Sequence, residues 1–220
     1  MFKKLKEYQV EGQKVYFSYE GDNTKVKPCV EVISERIVNV FIDYTGRGHR
    51  SRAIEGELGE RINAGKTQET GKLESVSWDE SGVIIRTSKL TVIVSDNFCV
   101  DFYDHTGMPL SLAYRGDRKR KGAVSSEALT LLAKEGHASD KVKGGNYQIQ
   151  ELRALGAKDC IYGLGDKTGV LNKRYYEYEM WNSDLPEPQE DNFKALYKSI
   201  PFMLVLKEKG VYGIFFDNHN

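Results

Sequence analysis

Val83-Ile84-Ile85-Arg86-Thr87, Leu90-Thr91-Val92-Ile93-Val94 and Cys99-Val100-Asp101-Phe102-Tyr103 follow one another across short polar links. Short apolar runs rich in β-branched residues and bounded by turn residues read as buried strands. Upstream, Ser75-Val76-Ser77-Trp78 meets the first run across Asp79-Glu80-Ser81-Gly82, the turn chemistry of a hairpin. Downstream, Asp104-His105-Thr106-Gly107 turns the chain again. Further out, Val15-Tyr16-Phe17-Ser18-Tyr19, Val30-Glu31-Val32-Ile33 and Ile37-Val38-Asn39-Val40-Phe41-Ile42 read the same way. Near the C-terminus, Phe202-Met203-Leu204-Val205-Leu206 and Val211-Tyr212-Gly213-Ile214-Phe215-Phe216 flank Lys207-Glu208-Lys209-Gly210 as another hairpin. Turns at Gly21, Gly82, Gly107 and Gly210 between so many strands predict two antiparallel sheets packed face to face. The expected class is all-β.

Two segments break the pattern. Residues 46–72, rich in Gly, Arg and Glu, predict a long loop. Arg115-Gly116-Asp117-Arg118-Lys119-Arg120-Lys121-Gly122 is a basic cluster, and the stretch after it predicts one short helix over 126–134. That helix has a serine cap, Glu127 in its first turn, Lys134 in its last and Gly136 beyond it.

At 220 residues the chain can bury a substantial core in one domain, and 40% hydrophobic with 29% charged residues suits a globular protein. Zero formal net charge provides no field toward nucleic acid or an anionic membrane. The basic cluster has no interleaved aromatics for base stacking, so it reads as a solvated loop. No stretch approaches the roughly 20 apolar residues of a membrane span. Met1-Phe2-Lys3-Lys4-Leu5-Lys6 lacks the apolar region of a signal peptide. Cys29, Cys99 and Cys160 are odd in number and widely spaced, which argues against a zinc site or disulfide framework and for a reducing, cytoplasmic setting. His49, His105, His137 and His219 are scattered beside turn residues and read as surface groups, so no metal and no cofactor is expected.

A second stretch carries the chemistry. Tyr162-Gly163-Leu164-Gly165-Asp166-Lys167-Thr168-Gly169 is followed by Met180-Trp181-Asn182-Ser183-Asp184-Leu185-Pro186. Aromatic faces stack on sugar C–H surfaces and carboxylates accept bonds from hydroxyls, so this mixture suits a loop presented to a sugar. With Asn172-Lys173-Arg174, Leu196-Tyr197-Lys198-Ser199-Ile200-Pro201-Phe202 and Gly210-Val211-Tyr212-Gly213-Ile214-Phe215-Phe216-Asp217-Asn218, the motifs stand in one order. They resemble the N-terminal β-sandwich domain of glycoside hydrolase family 31, the retaining α-glucosidases and α-xylosidases. Asp166 stands where that family usually has Glu, and the loop around Asp184 resembles the α-glucosidase form. Residues 1–160 resemble the family chiefly in strand pattern.

The resemblance implies a galactose-mutarotase-like antiparallel β-sandwich over 1–220, with more strands and a catalytic barrel beyond it. It implies a non-catalytic domain of a retaining α-glucosidase acting on α-linked gluco-oligosaccharides, whose partners are that oligosaccharide and the barrel. Asp184 would accept a bond from a sugar hydroxyl, and Trp181 would pack under the loop or line the sugar pocket. From the residues alone, Asp184 equally reads as a turn residue capping its own backbone ahead of Pro186, and Trp181 as a core aromatic. Glu177 and Glu179, if on a strand, would share one face. A retaining glycosidase needs two carboxylates roughly 5–5.5 Å apart, which spacing alone cannot identify. The family's barrel nucleophile segment does not occur here, so no residue of this chain is expected to be catalytic. Two competing readings are a free-standing carbohydrate-binding sandwich and a mutarotase-like epimerase, the latter requiring a His/Glu acid–base pair.

Overall fold

The computed structural model describes residues 2–20, 27–43, 72–116, 151–184 and 195–217. The long loop at 46–71, the basic cluster from Asp117 onward, the helix over 126–134, the turn at Gly21 and three of the four histidines lie outside the described residues. The chain divides into two compact units, Met1–Leu112 with Leu155–Asn220, and Ala113–Ala154.

In the first unit, β1 (Leu5–Glu11), β2 (Lys14–Tyr19), β3 (Lys27–Ser34) and β4 (Ile37–Asp43) form an antiparallel sheet in sequence order. A second antiparallel meander follows: β5 (Ser75–Asp79), β6 (Gly82–Arg86), β7 (Leu90–Ser95), β8 (Cys99–Asp104) and β9 (Pro109–Ala113). Alternation puts Val15, Phe17, Val30 and Val32 of the first sheet in one buried cluster with Val83, Ile85, Val92, Val94 and Val100 of the second. The sandwich expected from the strand pattern is therefore present, and its core is this β-branched layer.

One end is closed by aromatic rings. Phe98 packs against Phe2, Phe17 and Tyr19 at centroid distances of 5.7, 6.0 and 6.1 Å. Polar bonds across the same end set how the sheets meet: the Leu5 N–H donates to Asp96 Oδ1 at 2.8 Å, and the Tyr19 hydroxyl donates to the Ser95 carbonyl at 3.0 Å. Two hairpins turn on the same device. Asp79 Oδ1 accepts from Ser81 N–H and hydroxyl at 2.8 and 2.6 Å, and Asp104 Oδ1 accepts from Thr106 N–H and hydroxyl at 2.8 and 2.6 Å. Each carboxylate, bonded first to a neighbouring hydroxyl, is held below the usual Asp range. Cys29 and Cys99 are buried free thiols, and burial pushes Cys29 up to about 12, which makes it unreactive.

In the second unit the Tyr114 N–H donates to the Leu152 carbonyl at 2.9 Å, next to a short strand β10 (Arg153–Ala154). Back in the first unit, β11 (Cys160–Gly165), β12 (Ser199–Lys207) and β13 (Gly210–Phe215) make a third antiparallel sheet. Lys207 Nζ ties it to the meander by donating to the Leu110 carbonyl of β9 at 3.2 Å. The register sets Phe202 beside Phe215 and Leu206 beside Val211, and all four are exposed, with Ile200 and Leu204 on the same side of β12. Among the described residues no helix is long and apolar enough to cross a membrane.

Strands β2 to β8, β12 and β13 lie where the sequence predicts them; β1, β9, β10 and β11 are additions. Of β1 only Leu5 is buried, so its outward charges hide it from a hydrophobicity pattern. Ile85 is fully buried at the centre of the core. Ile85→Ala is expected to lower the free energy of unfolding by about 2–5 kcal/mol. Urea denaturation checks this, with the midpoint falling and the slope unchanged.

Candidate functional site

The Tyr162-Gly163-Leu164-Gly165 segment is a bulged strand, not the free turn its glycines suggest. It occupies the end of β11, and the register with β12 shifts between Gly163 and Gly165. Gly163, Leu164 and Gly165 have φ of 110°, 72° and 84°, so the chain kinks while pairing continues from Met203 to Ser199. At Gly165 the reason is a close approach as well as the left-handed backbone. A Cβ there would lie 2.5 Å from the Lys198 carbonyl oxygen and 2.9 Å from the Ile200 nitrogen. Asp166 N–H then donates to the Lys198 carbonyl at 2.9 Å, which closes the kink against the start of β12.

The kink delivers Lys167 into a buried position. Its ammonium donates to the Glu179 carbonyl at 2.7 Å and to the Ser199 hydroxyl at 3.1 Å. Burial lowers its pKa, and the neighbouring Asp166 and Glu179 charges partly offset that. Ser199 passes the contact on: its hydroxyl donates to the Trp181 carbonyl at 3.0 Å, and its N–H donates to Asn182 Oδ1 at 2.8 Å. Ser183 N–H reaches the buried Leu196's carbonyl at 3.0 Å, beside an isolated parallel bridge between Asn182 and Leu196. Trp181 and Asp184 therefore sit on one segment held through its backbone at 179, 181 and 183 and through the Asn182 side chain, while both residues are exposed.

The connecting residues are braced from the other side. Asn172 Oδ1 accepts from the Ile161 and Arg174 N–H groups at 3.0 and 3.2 Å, and Arg174 Nη1 donates to the Asp159 carbonyl at 2.8 Å. Lys173 Nζ donates to the Thr168 carbonyl at 2.9 Å and lies 5.7 Å from the Tyr178 ring, which stacks on Tyr176 at 5.7 Å. Tyr175, at φ 72° and 90% exposed, breaks any extended run here. The possibility that Glu177 and Glu179 share one strand face is thereby corrected: both are exposed, on a segment that is not a strand. Lys167 and Ser199 form the frame of the loop without a local sequence signal, because nothing in the sequence pairs residues so far apart in the chain.

Among the described residues no three His, Cys, Asp or Glu side chains converge to hold a metal ion. His105, the described histidine, is exposed in the β8–β9 turn, beside an Asp104 already committed to that turn.

Gly165→Ala should break the β11–β12 junction. Hydrogen exchange is expected to show lost protection at Asp166 and Ser199, together with a lower melting temperature. Gly107→Ala is the control. It pays the same left-handed backbone cost at φ 86°, but its Cβ would meet nothing within 4 Å, so its loss is expected to be the smaller.

Comparison with known proteins gives the family. The family described as Glycosyl hydrolase 31 N-terminal galactose mutarotase-like domain matches residues 28–220. Alpha-glucosidase 2 of Bacillus thermoamyloliquefaciens is 37% identical over 67 residues, a match covering 30% of this chain and 8% of that protein. A Flavobacterium johnsoniae dextranase of the same hydrolase family, complexed with glucose, superposes with a TM-score of 0.68 at 28% identity. A mutant of that dextranase complexed with isomaltotriose gives 0.69 at 27%. Each of these two matches covers 99% of this chain and 22% of the dextranase chain. The family match spans most of this chain, and the chain belongs to the N-terminal galactose mutarotase-like domain family of glycosyl hydrolase 31.

Proposed function

We propose that this chain is the non-catalytic N-terminal domain of a retaining α-glucosidase acting on α-linked gluco-oligosaccharides, supplying a substrate-contacting loop to a catalytic barrel. The observation that carries this reading is the 179–184 segment. Its carbonyls and the Asn182 side chain are held by hydrogen bonds from Lys167, just beyond β11, and from Ser199 at the start of β12, while Trp181 and Asp184 stay exposed. A turn residue would spend its carboxylate on its own backbone, as Asp79 and Asp104 do. Asp184 is exposed on a segment bound through other groups, which suits a carboxylate offered to a ligand. The glucose and isomaltotriose complexes of the dextranases support an α-glucoside as that ligand. The exposed apolar side of β12 and β13 supports a further body of protein against this domain, because contiguous apolar surface of this kind marks interfaces.

Asp184 accepts a hydrogen bond from a sugar hydroxyl near the scissile bond, and Trp181 offers its ring to the sugar's C–H face. The bond-breaking carboxylates belong to the barrel. The isolated chain is therefore expected not to hydrolyse maltose or an aryl α-glucoside. Turnover that a single internal Glu or Asp substitution abolished would overturn the reading.

In the complete enzyme that this reading requires, Asp184→Ala is expected to leave the domain folded and to lower kcat/KM roughly 10- to 150-fold, the equivalent of a charge-assisted bond of about 1.5–3 kcal/mol. Melting temperature and kcat/KM measured on the same variant separate the alternatives. Unchanged kinetics beside a clear fall in melting temperature would make Asp184 a structural residue.

A further inference from the structure

We propose that Lys167 is the positioning residue of the 179–184 loop, acting through the Ser199 hydroxyl to set the posture from which Asp184 meets substrate. The inference rests on the substrate-contacting reading of Asp184 and deepens it. The loop has no helix or strand of its own, so its geometry is set by its tethers. Two of these trace to the Lys167 ammonium. One is direct, to the Glu179 carbonyl at 2.7 Å; the other runs through Ser199 to the Trp181 carbonyl, at 3.1 and then 3.0 Å.

The relay has a defined direction. An ammonium can only donate, and a serine hydroxyl has one proton to give. Because Ser199 Oγ accepts from Lys167, its own proton is left for the Trp181 carbonyl. The charge thus orients the hydroxyl, and bonds in such a chain polarise one another. Ser199 N–H bonds Asn182 Oδ1, so one residue at the start of β12 grips two successive loop residues. Lys167 is itself held in place: Lys173 Nζ donates to its carbonyl at 3.2 Å, and the adjacent Asp166 N–H is fixed on Lys198.

A buried lysine that merely filled space would not need its charge. Burial lowers its pKa, so keeping the ammonium there opposes stability, and the loop carbonyl and hydroxyl it binds are what offset that opposition.

Lys167→Met keeps the length of the stem and deletes the donor. In this chain, hydrogen exchange at the Ser183 and Ser199 amides is expected to rise roughly tenfold or more, with the β6 to β8 amides unchanged. Ser199→Ala is expected to reproduce the pattern at Ser183 by removing one hydroxyl. In the complete enzyme, Lys167→Met is expected to lower kcat/KM roughly tenfold with Asp184 present and to add nothing when Asp184 is already Ala, since residues acting through one contact are non-additive. Loop amides that stay protected in both variants would overturn the proposal, and so would losses from Lys167→Met and Asp184→Ala that add in full. A Lys167→Met chain that fails to fold, alongside a Ser199→Ala chain with a protected loop, would make the ammonium a stability element and also overturn it. If Asp184→Ala alone leaves kcat/KM intact, the sugar-contact reading fails separately, and the exchange result decides the positioning role.

Discussion

The β-branched layer between the first two sheets is the constraint on which the rest of this structure depends. Val15, Val30 and Val32 from one side and Val83, Ile85, Val92 and Val94 from the other are all fully buried. Side chains alternate along a strand, so a slip of one residue would turn every one of these out of the shared layer and break its packing. That penalty fixes the register of β2, β3, β6 and β7 together. The turns then follow as consequences: Asp79 and Asp104 cap hairpins whose ends the core has already aligned. The Phe2, Phe17, Tyr19 and Phe98 cluster closes one end of the layer, and Asp96 and Ser95 satisfy backbone and hydroxyl groups at the same end.

The third sheet is organised by a different principle. Its strands leave large apolar side chains exposed, and its structural detail is concentrated in backbone contacts. At Gly165 the chain comes closer to β12 than any side chain would allow. That approach brings the following lysine under a loop with no regular structure. Sheet and loop are therefore linked by one geometric event, a bulge whose product is a buried ammonium. The exposed Trp181 and Asp184 inherit their positions from that event, not from interactions of their own side chains.

This arrangement separates how the loop is held from what it exposes. Family membership assigns the fold, and the relatives that share it are several times longer than the matched region. The 179–184 segment is tethered through carbonyls, N–H groups and the Asn182 side chain, while Trp181 and Asp184 are exposed. Tyr175, Tyr176 and Tyr178 lie beside it on a stretch braced by Lys173 and Arg174, so the aromatic richness visible in the sequence serves partly to build the support.

By itself the sequence determined the all-β class, strands β2 to β8 with β12 and β13, the hairpin turns and the family. These are carried by neighbours in the chain: alternation at period two, Asp and Gly at turns, and ordered short motifs. Only the tertiary structure decided the rest. β1 was hidden because an edge strand with one buried residue has no alternation to read, and β11 because its glycines look like a turn until β12 pairs with them. The frame of the candidate site was hidden for the same reason. Lys167 and Ser199 stand 32 residues apart, and a single hydrogen bond across that distance leaves no periodic trace in either segment. Asp184 could be named from its motif, but the tethers of the loop that carries it became visible only once Lys167 and Ser199 had been brought together by the fold.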